Sequence, residues 1–211
     1  MLSLKEYLEN PCKKASIPYW KNKNIKIPSN MKIVHHEKFD NNDLNDYQDE
    51  EYFRLIHHLD NIQNNSSMDF SVKTAESQDI SLIVEIINKS YSDLSVSYEQ
   101  ILSYTKTEVY DKNLWILVYE HQTNDVVGCG IADFASDVRE GILEWIQVLP
   151  EYRGKGIGKL IVNELLRRMT KADFATVSGK VDNPTNPEKL YRSCGFVGNN
   201  IWHILTKKYN I

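Results

Sequence analysis

The chain has 211 residues, 41% of them apolar, and a formal net charge of −4. That much apolar material builds a packed core for one good-sized domain and excludes wholesale disorder. The acidic balance excludes a general nucleic-acid binder, which needs a basic surface, and no apolar run approaches the roughly 20 residues that span a bilayer.

In chain order, MLSLKEYLENP alternates apolar and charged residues and lacks the uninterrupted apolar core of a signal peptide. Cys12, Cys129 and Cys194 lie far apart and form no CxxC pair, so neither disulfides nor a structural zinc is expected. A reduced, cytoplasmic protein is the simpler reading. Lys13 to Lys32 is lysine-rich and reads as solvated surface, with contact to a ligand phosphate or an acidic partner as the lesser alternative. An acidic stretch, HHEKFDNNDLNDYQDEE, follows. Tyr52, Leu55, Ile56 and Leu59 then recur at helical spacing, which predicts a short amphipathic helix. Residues 63–69, QNNSSMD, are small and polar and read as a linker. Residues 1–69 are therefore expected to form an N-terminal extension or small α/β subdomain, and residues 70–211 the main domain. The pairs His35–His36 and His57–His58 point their neighbours different ways and lack a third ligand at suitable spacing, so no metal is expected.

From Phe70 strands and helices alternate. FSVKTA predicts a strand. A helix follows, with Ser77 as its N-cap and Ile80, Ile83, Val84 and Ile87 on one face. A second helix is predicted near Tyr98 to Thr105. NLWILVYE and DVVGCGIADF, joined by the polar HQTND, predict a hairpin, and EGILEWIQV a third strand. Ile157, Leu160, Ile161, Leu165 and Met169 mark one buried face of the next helix. FATVSGKV is strand-like, PEKLYRSC is a short helix ending at Gly195, and IWHILTKK alternates as a last strand. The fold class is α/β, or α+β, with a mixed sheet covered by helices.

Gly154, Gly156 and Gly158 stand between a strand and a helix, interleaved with Arg153, Lys155 and Lys159. At a helix start the first N–H groups lack intrahelical partners and the helix dipole is positive. Glycines let such a backbone approach a ligand closely. The combination demands an anion, most plausibly a phosphate. GKGIGK is too short for GxxxxGK[ST] and lacks its Ser or Thr, and GxGxG is not the dinucleotide GxGxxG.

The stretch VLPEYRGKGIGKLIVNELL, with Arg153, Gly156 and Gly158 in [R/Q]xxGxG, resembles the acetyl-CoA pyrophosphate signature of the GCN5-related N-acetyltransferases (GNAT). WIQVLP before it and VDNPTNPEKLYRSCGF after it resemble that family's V-x-P strand end and Asn…LY…GF segment. The resemblance covers roughly Phe70 to Lys208, and it implies a GNAT-type acyl-CoA N-acyltransferase fold. It further implies that the amides of Arg153, Gly154, Lys155, Gly156, Ile157, Gly158 and Lys159 hold pyrophosphate. In the family two strands splay apart and pantetheine lies between them, here against the main chain of Ile146, Gln147 and Val148. The Val148 N–H would stabilise the oxyanion. Asn183 is the residue implied to contact pantetheine, although it stands one residue further from Tyr191 than in many members, and Asn186 is the alternative.

An amine nucleophile must lose a proton, and Glu144, four residues before Val148, is the implied base, with Glu140 in reserve on strand parity. Glu144 can equally cap the sheet or pair with a cation. Tyr191 is the implied proton donor to the leaving thiolate, and the alternative is an aromatic anchor for its short helix. The resemblance implies acetyl-CoA as cosubstrate, no metal, and a primary amine acceptor, with no nucleic acid or membrane and a homodimer left open. SYSDLSVSYEQILSYTKTEVYDK, with Asp93, Glu99, Glu108 and Asp111, makes an acidic, aromatic rim that suits a cationic amine. The rivals are a silent CoA-binding module and an ATP-phosphate binder, the latter lacking a helix-side Ser or Thr for magnesium.

Overall fold

The computed structural model describes residues 4–14, 27–64, 67–91 and 94–208. Two short helices, α1 (Leu4–Glu9) and α2 (Pro11–Lys14), precede strands β1 (Met31–His35), β2 (Tyr47–His57) and β3 (Phe70–Thr74). Helices α3 (Ile80–Ser90) and α4 (Tyr98–Tyr104) follow, then β4 (Tyr110–Glu120), β5 (Val126–Ala135) and β6 (Glu140–Val148). The chain closes with α5 (Ile157–Arg168), β7 (Phe174–Lys180), α6 (Pro187–Ser193) and β8 (Val197–Lys207). All eight strands join one sheet in the order β1-β8-β2-β7-β6-β5-β4-β3. Every pairing is antiparallel except β6 with β7.

The sheet is covered on both faces, so its central strands read as unbroken apolar runs rather than alternations. Leu114, Trp115, Ile116, Leu117 and Val118 of β4 are all buried. One core packs the predicted face of α5, with Ile157, Leu160, Ile161, Leu165 and Met169, against β4, β6, β7 and β2. The other packs α3 and α4 against the opposite side of β4 and β5. Gly141 lets Met169 into the start of β6, because an added Cβ would stand 2.3 Å from its sulfur. At the start of α3 the sequence expectation needs a small revision. Ser77 opens a 3₁₀ turn, and Glu76 and Asp79 cap it reciprocally, with Asp79 Oδ2 accepting from Glu76 N at 2.9 Å.

A larger revision concerns residues 52–59, of which 52–57 belong to strand β2 and none to a helix. β2 carries Phe53, Leu55 and His57 buried on one face, with Arg54 buried on the other. A short apolar run buried on both faces carries no reliable period, and the helical spacing of Tyr52, Leu55 and Ile56 is coincidental. β2 lies between β7 and β8, so residues on both sides of position 69 pair within one sheet. The polar stretch 63–69 falls in the loop between β2 and β3, with 65–66 outside the described residues. Most of the lysine-rich stretch, 15–26, also lies outside them. Lys13 and Lys32 pair with Glu37 and Asp43.

A buried polar network ties the early chain to β6. Arg54 donates to Glu140 at 3.1 Å and to Thr176 at 3.3 Å, and Glu140 also accepts from Tyr7 and Thr176. Burial, and then the Glu140 charge, push the Tyr7 phenol well above its usual value, so it remains a donor.

His57 supplies a pH dependence. Its Nδ1 accepts from Leu59 N at 2.8 Å, and burial lowers its pKa below the ordinary 6.5. The unfolded chain therefore binds this proton first as pH falls, so His57 contributes stability above about pH 6.5 that is lost on acidification below it. His57→Asn keeps an acceptor for Leu59 but does not titrate. Urea midpoints at pH 7 and pH 5.5 should fall less in this variant than in the parent, and equal falls would remove His57 from the acid limb.

Candidate active site

The parallel ladder between β6 and β7 runs only from Glu140–Phe174 to Leu143–Val177. β6 continues to Val148 and β7 to Lys180, so the two strands part after Leu143. A bulge in β6 sits at that level. Ile131 opposes Trp145 while Ala132 opposes Leu143, which leaves Glu144 as the extra residue. A bulge bends its strand and increases its twist, and this turns β6 away from β7.

The direction of the β6 backbone beyond the bulge follows from one bond. Leu149 N donates to Val127 O at 3.0 Å, so Leu149 and Val127 are a hydrogen-bonded pair. Antiparallel ladders alternate bonded and non-bonded pairs. Gly128–Val148 and Gly130–Ile146 are then non-bonded pairs, and the N–H and C=O groups of Ile146 and Val148 face the gap beside β7. The Val148 carbonyl is met by Arg153 Nε at 3.3 Å and by Ser90 Oγ at 3.4 Å. Gln147 departs from the expectation: its backbone turns toward Cys129 of β5, and its side chain donates to the Tyr91 hydroxyl at 3.0 Å. The gap is an extended slot edged by peptide groups, the shape and chemistry that an amide-bearing arm would pair with.

The glycine turn stands at the end of this slot. Gly154 and Gly156 have φ of 80° and 83°, the left-handed region that L side chains avoid. An added Cβ at either would meet nothing within 4 Å. The backbone conformation therefore demands glycine, and the space beside the turn is open. Gly156 is the N-cap of α5 and has no side chain to bond the first amides. The first intrahelical bond is Leu160 N to Gly156 O at 3.0 Å, so the N–H groups of Ile157, Gly158 and Lys159 precede it. Three amides without an intrahelical partner at a positive helix end suit an anion. Gly158 serves packing, since an added Cβ would stand 3.1 Å from Leu190 of α6.

The cations differ in role. Arg153 folds back, donating to Ser90 O at 2.8 Å as well as to Val148 O, and so braces the end of β6 against the end of α3. Lys155 lies 4.5 Å from the centre of the Tyr152 ring. Lys159 sits half-buried in the first turn of α5.

Tyr191, on α6, is 7% exposed and packs against Phe53 and Phe196. Burial, with smaller contributions from Tyr91, Cys194 and Glu144, raises its pKa well above the ordinary 10. The phenol is therefore protonated at neutral pH and stands within electrostatic reach of Glu144 and Tyr91. Glu144 is half-buried. The reserve candidate Glu140 is removed from the slot. The bulge breaks the strand parity that linked it to Glu144, and its carboxylate, 2% exposed, is held by Arg54, Tyr7 and Thr176.

The asparagine side chains are engaged locally. Asn183 Oδ1 accepts from Thr185 N and Oγ1 at 3.0 and 2.7 Å, and Asn186, at φ 47°, caps α6 through Lys189 N at 3.3 Å. Of the acidic rim, Asp93 lies outside the described residues and Asp111 pairs with Lys171 at 3.6 Å. Sequence reasoning missed Tyr91. Its signal was its place at the end of the first helix, in the tyrosine-rich segment assigned to the acceptor side.

Comparisons with known proteins agree with this geometry. Residues 111–198 match the family model of the acetyltransferase (GNAT) domain. No curated protein matches the chain in sequence. Among solved structures, a GCN5-related N-acetyltransferase from Sphaerobacter thermophilus is 18% identical with a TM-score of 0.68, over 84% of this chain and 59% of that one. One from Kribbella flavida is 10% identical with a TM-score of 0.61, over 85% and 68%. The ribosomal-protein-S18-alanine N-acetyltransferase of Escherichia coli is 18% identical with a TM-score of 0.50, over 67% and 98%. This chain thus spans 59% of the length of the Sphaerobacter protein. Likeness at these identities shows the fold, a mixed sheet of the GNAT type, as the sequence resemblance implied. Among the described residues no helix is long and apolar enough to cross a membrane.

Proposed function

We propose that this GNAT-fold chain is an acetyl-CoA-dependent N-acetyltransferase that acts on a primary amine by direct attack in a ternary complex. The observation that carries the reading is the slot: β6 leaves β7 at Glu144 and runs, with the peptide groups of Ile146 and Val148 turned away from β5, to a glycine turn whose first helix amides have no intrahelical partner. The turn and the first amides of α5 suit the pyrophosphate of CoA, and the slot suits its amide-bearing arm. The thioester supplies the acetyl group to be transferred.

Glu144, at the bend, takes the proton that the attacking ammonium must lose, directly or through water. The Val148 N–H faces the slot and steadies the negative charge that develops on the carbonyl oxygen. As the carbon–nitrogen bond forms and the carbon–sulfur bond breaks, Tyr191 gives its proton to the departing sulfur. Its buried, protonated phenol is suited to that task. Tyr91, held by Gln147, borders the same space from the end of α3. The acceptor meets the slot from α3, α4 and the segment between them.

Two measurements test the reading. The melting temperature should rise with acetyl-CoA and CoA and not with ATP, and CoA release should appear with a panel of primary amines. Binding without release on a broad panel would leave a silent CoA-binding module, and no shift with either CoA species would end the proposal. Tyr191→Phe should leave the CoA-induced shift intact and lower kcat by about 10²–10⁴. Full activity in that variant would dismiss Tyr191 as the donor.

A further inference from the structure

A second cluster of chemistry lies where β2 meets β8, on the other side of β7 from the slot. Glu51 and His203 are directly opposed across the two strands, and Asp49, two residues before Glu51, shares their face. One ligand atom from each of Asp49, Glu51 and His203 lies within 4.8 Å of the others. The histidine pairs that stand out in the sequence do not make this set. It exists only because β2 is built into the sheet beside β8.

Each member bears on what the cluster can hold. His203 is 1% exposed, and its ring is clamped by Phe39, stacked at 3.8 Å between centres. Its Nδ1 is 2.7 Å from Asp49 Oδ2, and its Nε2 is 2.9 Å from His36 Nδ1. The other oxygen of Asp49, Oδ1, is buried and has no hydrogen-bond partner among the described residues. A buried orphan acceptor of this kind calls for a missing partner. Glu51 is exposed, with no side-chain hydrogen bond or ion pair among the described residues. Neither carboxylate is paired with a Lys or Arg among the described residues.

We infer that Asp49, Glu51 and His203 form a binding site for a divalent transition-metal ion of the zinc class. Nitrogen and oxygen ligands stand about 2.0–2.2 Å from such an ion in a tetrahedral arrangement, about 3.3–3.6 Å from one another, and the set closes by shifts of about an ångström. Two carboxylates and one imidazole suit this class better than calcium or magnesium, which take oxygen alone. His36 completes the arrangement. When the ion takes Nδ1 of His203, the imidazole proton moves to Nε2 and is donated to His36 Nδ1, whose own proton passes to its exposed Nε2. His36 thereby fixes the tautomer of the ligand, as outer-sphere partners of metal-bound histidines do. The ion neutralises the paired carboxylates, satisfies Asp49 Oδ1, and pins β2 to β8.

The test uses the full chain, stripped with EDTA and titrated with zinc chloride alone, with bound metal measured by mass spectrometry and unfolding followed by heat. One zinc per chain and a higher melting temperature are expected. Glu51→Gln, at an exposed position that leaves the fold intact, should weaken zinc binding about tenfold or more, and His36→Ala by about 10–100-fold. His58→Ala serves as the control and should bind as the parent does. Absence of stoichiometric zinc, or Glu51→Gln and Asp49→Asn binding as tightly as the parent, would overturn the site. The readout is independent of CoA, so it stands or falls apart from the transferase reading.

Discussion

Arg54→Ala should destabilise the fold by about 3–5 kcal/mol, the cost of leaving a buried charge without its partner. The Arg54 and Glu140 side chains are 6% and 3% exposed and meet at 3.1 Å. Removing the guanidinium leaves the Glu140 carboxylate beside Tyr7 and Thr176, two hydroxyls that can donate to it but cannot neutralise it. The network also joins α1, β2, β6 and β7, so the loss should appear as one cooperative transition at a lower urea midpoint. The double variant Arg54→Met/Glu140→Leu removes both charges at similar volume and should recover most of that stability. A loss below about 1 kcal/mol in Arg54→Ala would show the pair to be hydrated and would contradict its burial.

Gly156→Glu should abolish the CoA-induced rise in melting temperature, with affinity reduced about 100-fold or more, or roughly 3 kcal/mol. Two effects act on different quantities. A side chain at φ 83° costs about 1–2 kcal/mol of left-handed strain in the fold, and a carboxylate at the start of α5 repels a phosphate where the helix end should attract it, which lowers affinity. The fold should persist, because nothing lies within 4 Å of an added Cβ at this position. Gly156→Ala separates the two effects: it carries the strain alone, so it should lower the melting temperature of the free chain and keep most of the CoA-induced rise. If Gly156→Glu responded to CoA as the parent does, the turn would not be the phosphate cradle.

Much of this was legible from the residues alone. The β4–β5 hairpin, the extent of β6 and the buried face of α5 follow from local period and turn chemistry, and the structure places them as read. The glycines before α5 were legible for the same reason. A left-handed turn and uncapped helix amides are properties of a few consecutive residues, and they name an anion before any fold is known.

What depends on a partner strand was not legible. Residues 52–59 were misread because burial on both faces erases the period by which a strand is recognised. That burial comes from Tyr191 of α6, more than 100 residues later in the chain, on one face, and from Tyr7 of α1 on the other. The bulge at Glu144 exists only in the register of β6 against β5, so strand parity on β6 alone kept Glu140 as a base when it is locked to Arg54. Arg153 read as a phosphate ligand, yet its guanidinium braces Ser90 and Val148, an arrangement set by the approach of α3 to β6. By itself, the sequence determined most of the local elements and that the start of α5 suits an anion, because those outcomes rest on interactions spanning a few residues. Only the tertiary structure decided which carboxylate faces the slot, which is locked in the core, and which residues of β2 and β8 meet, because each depends on strand register between distant segments.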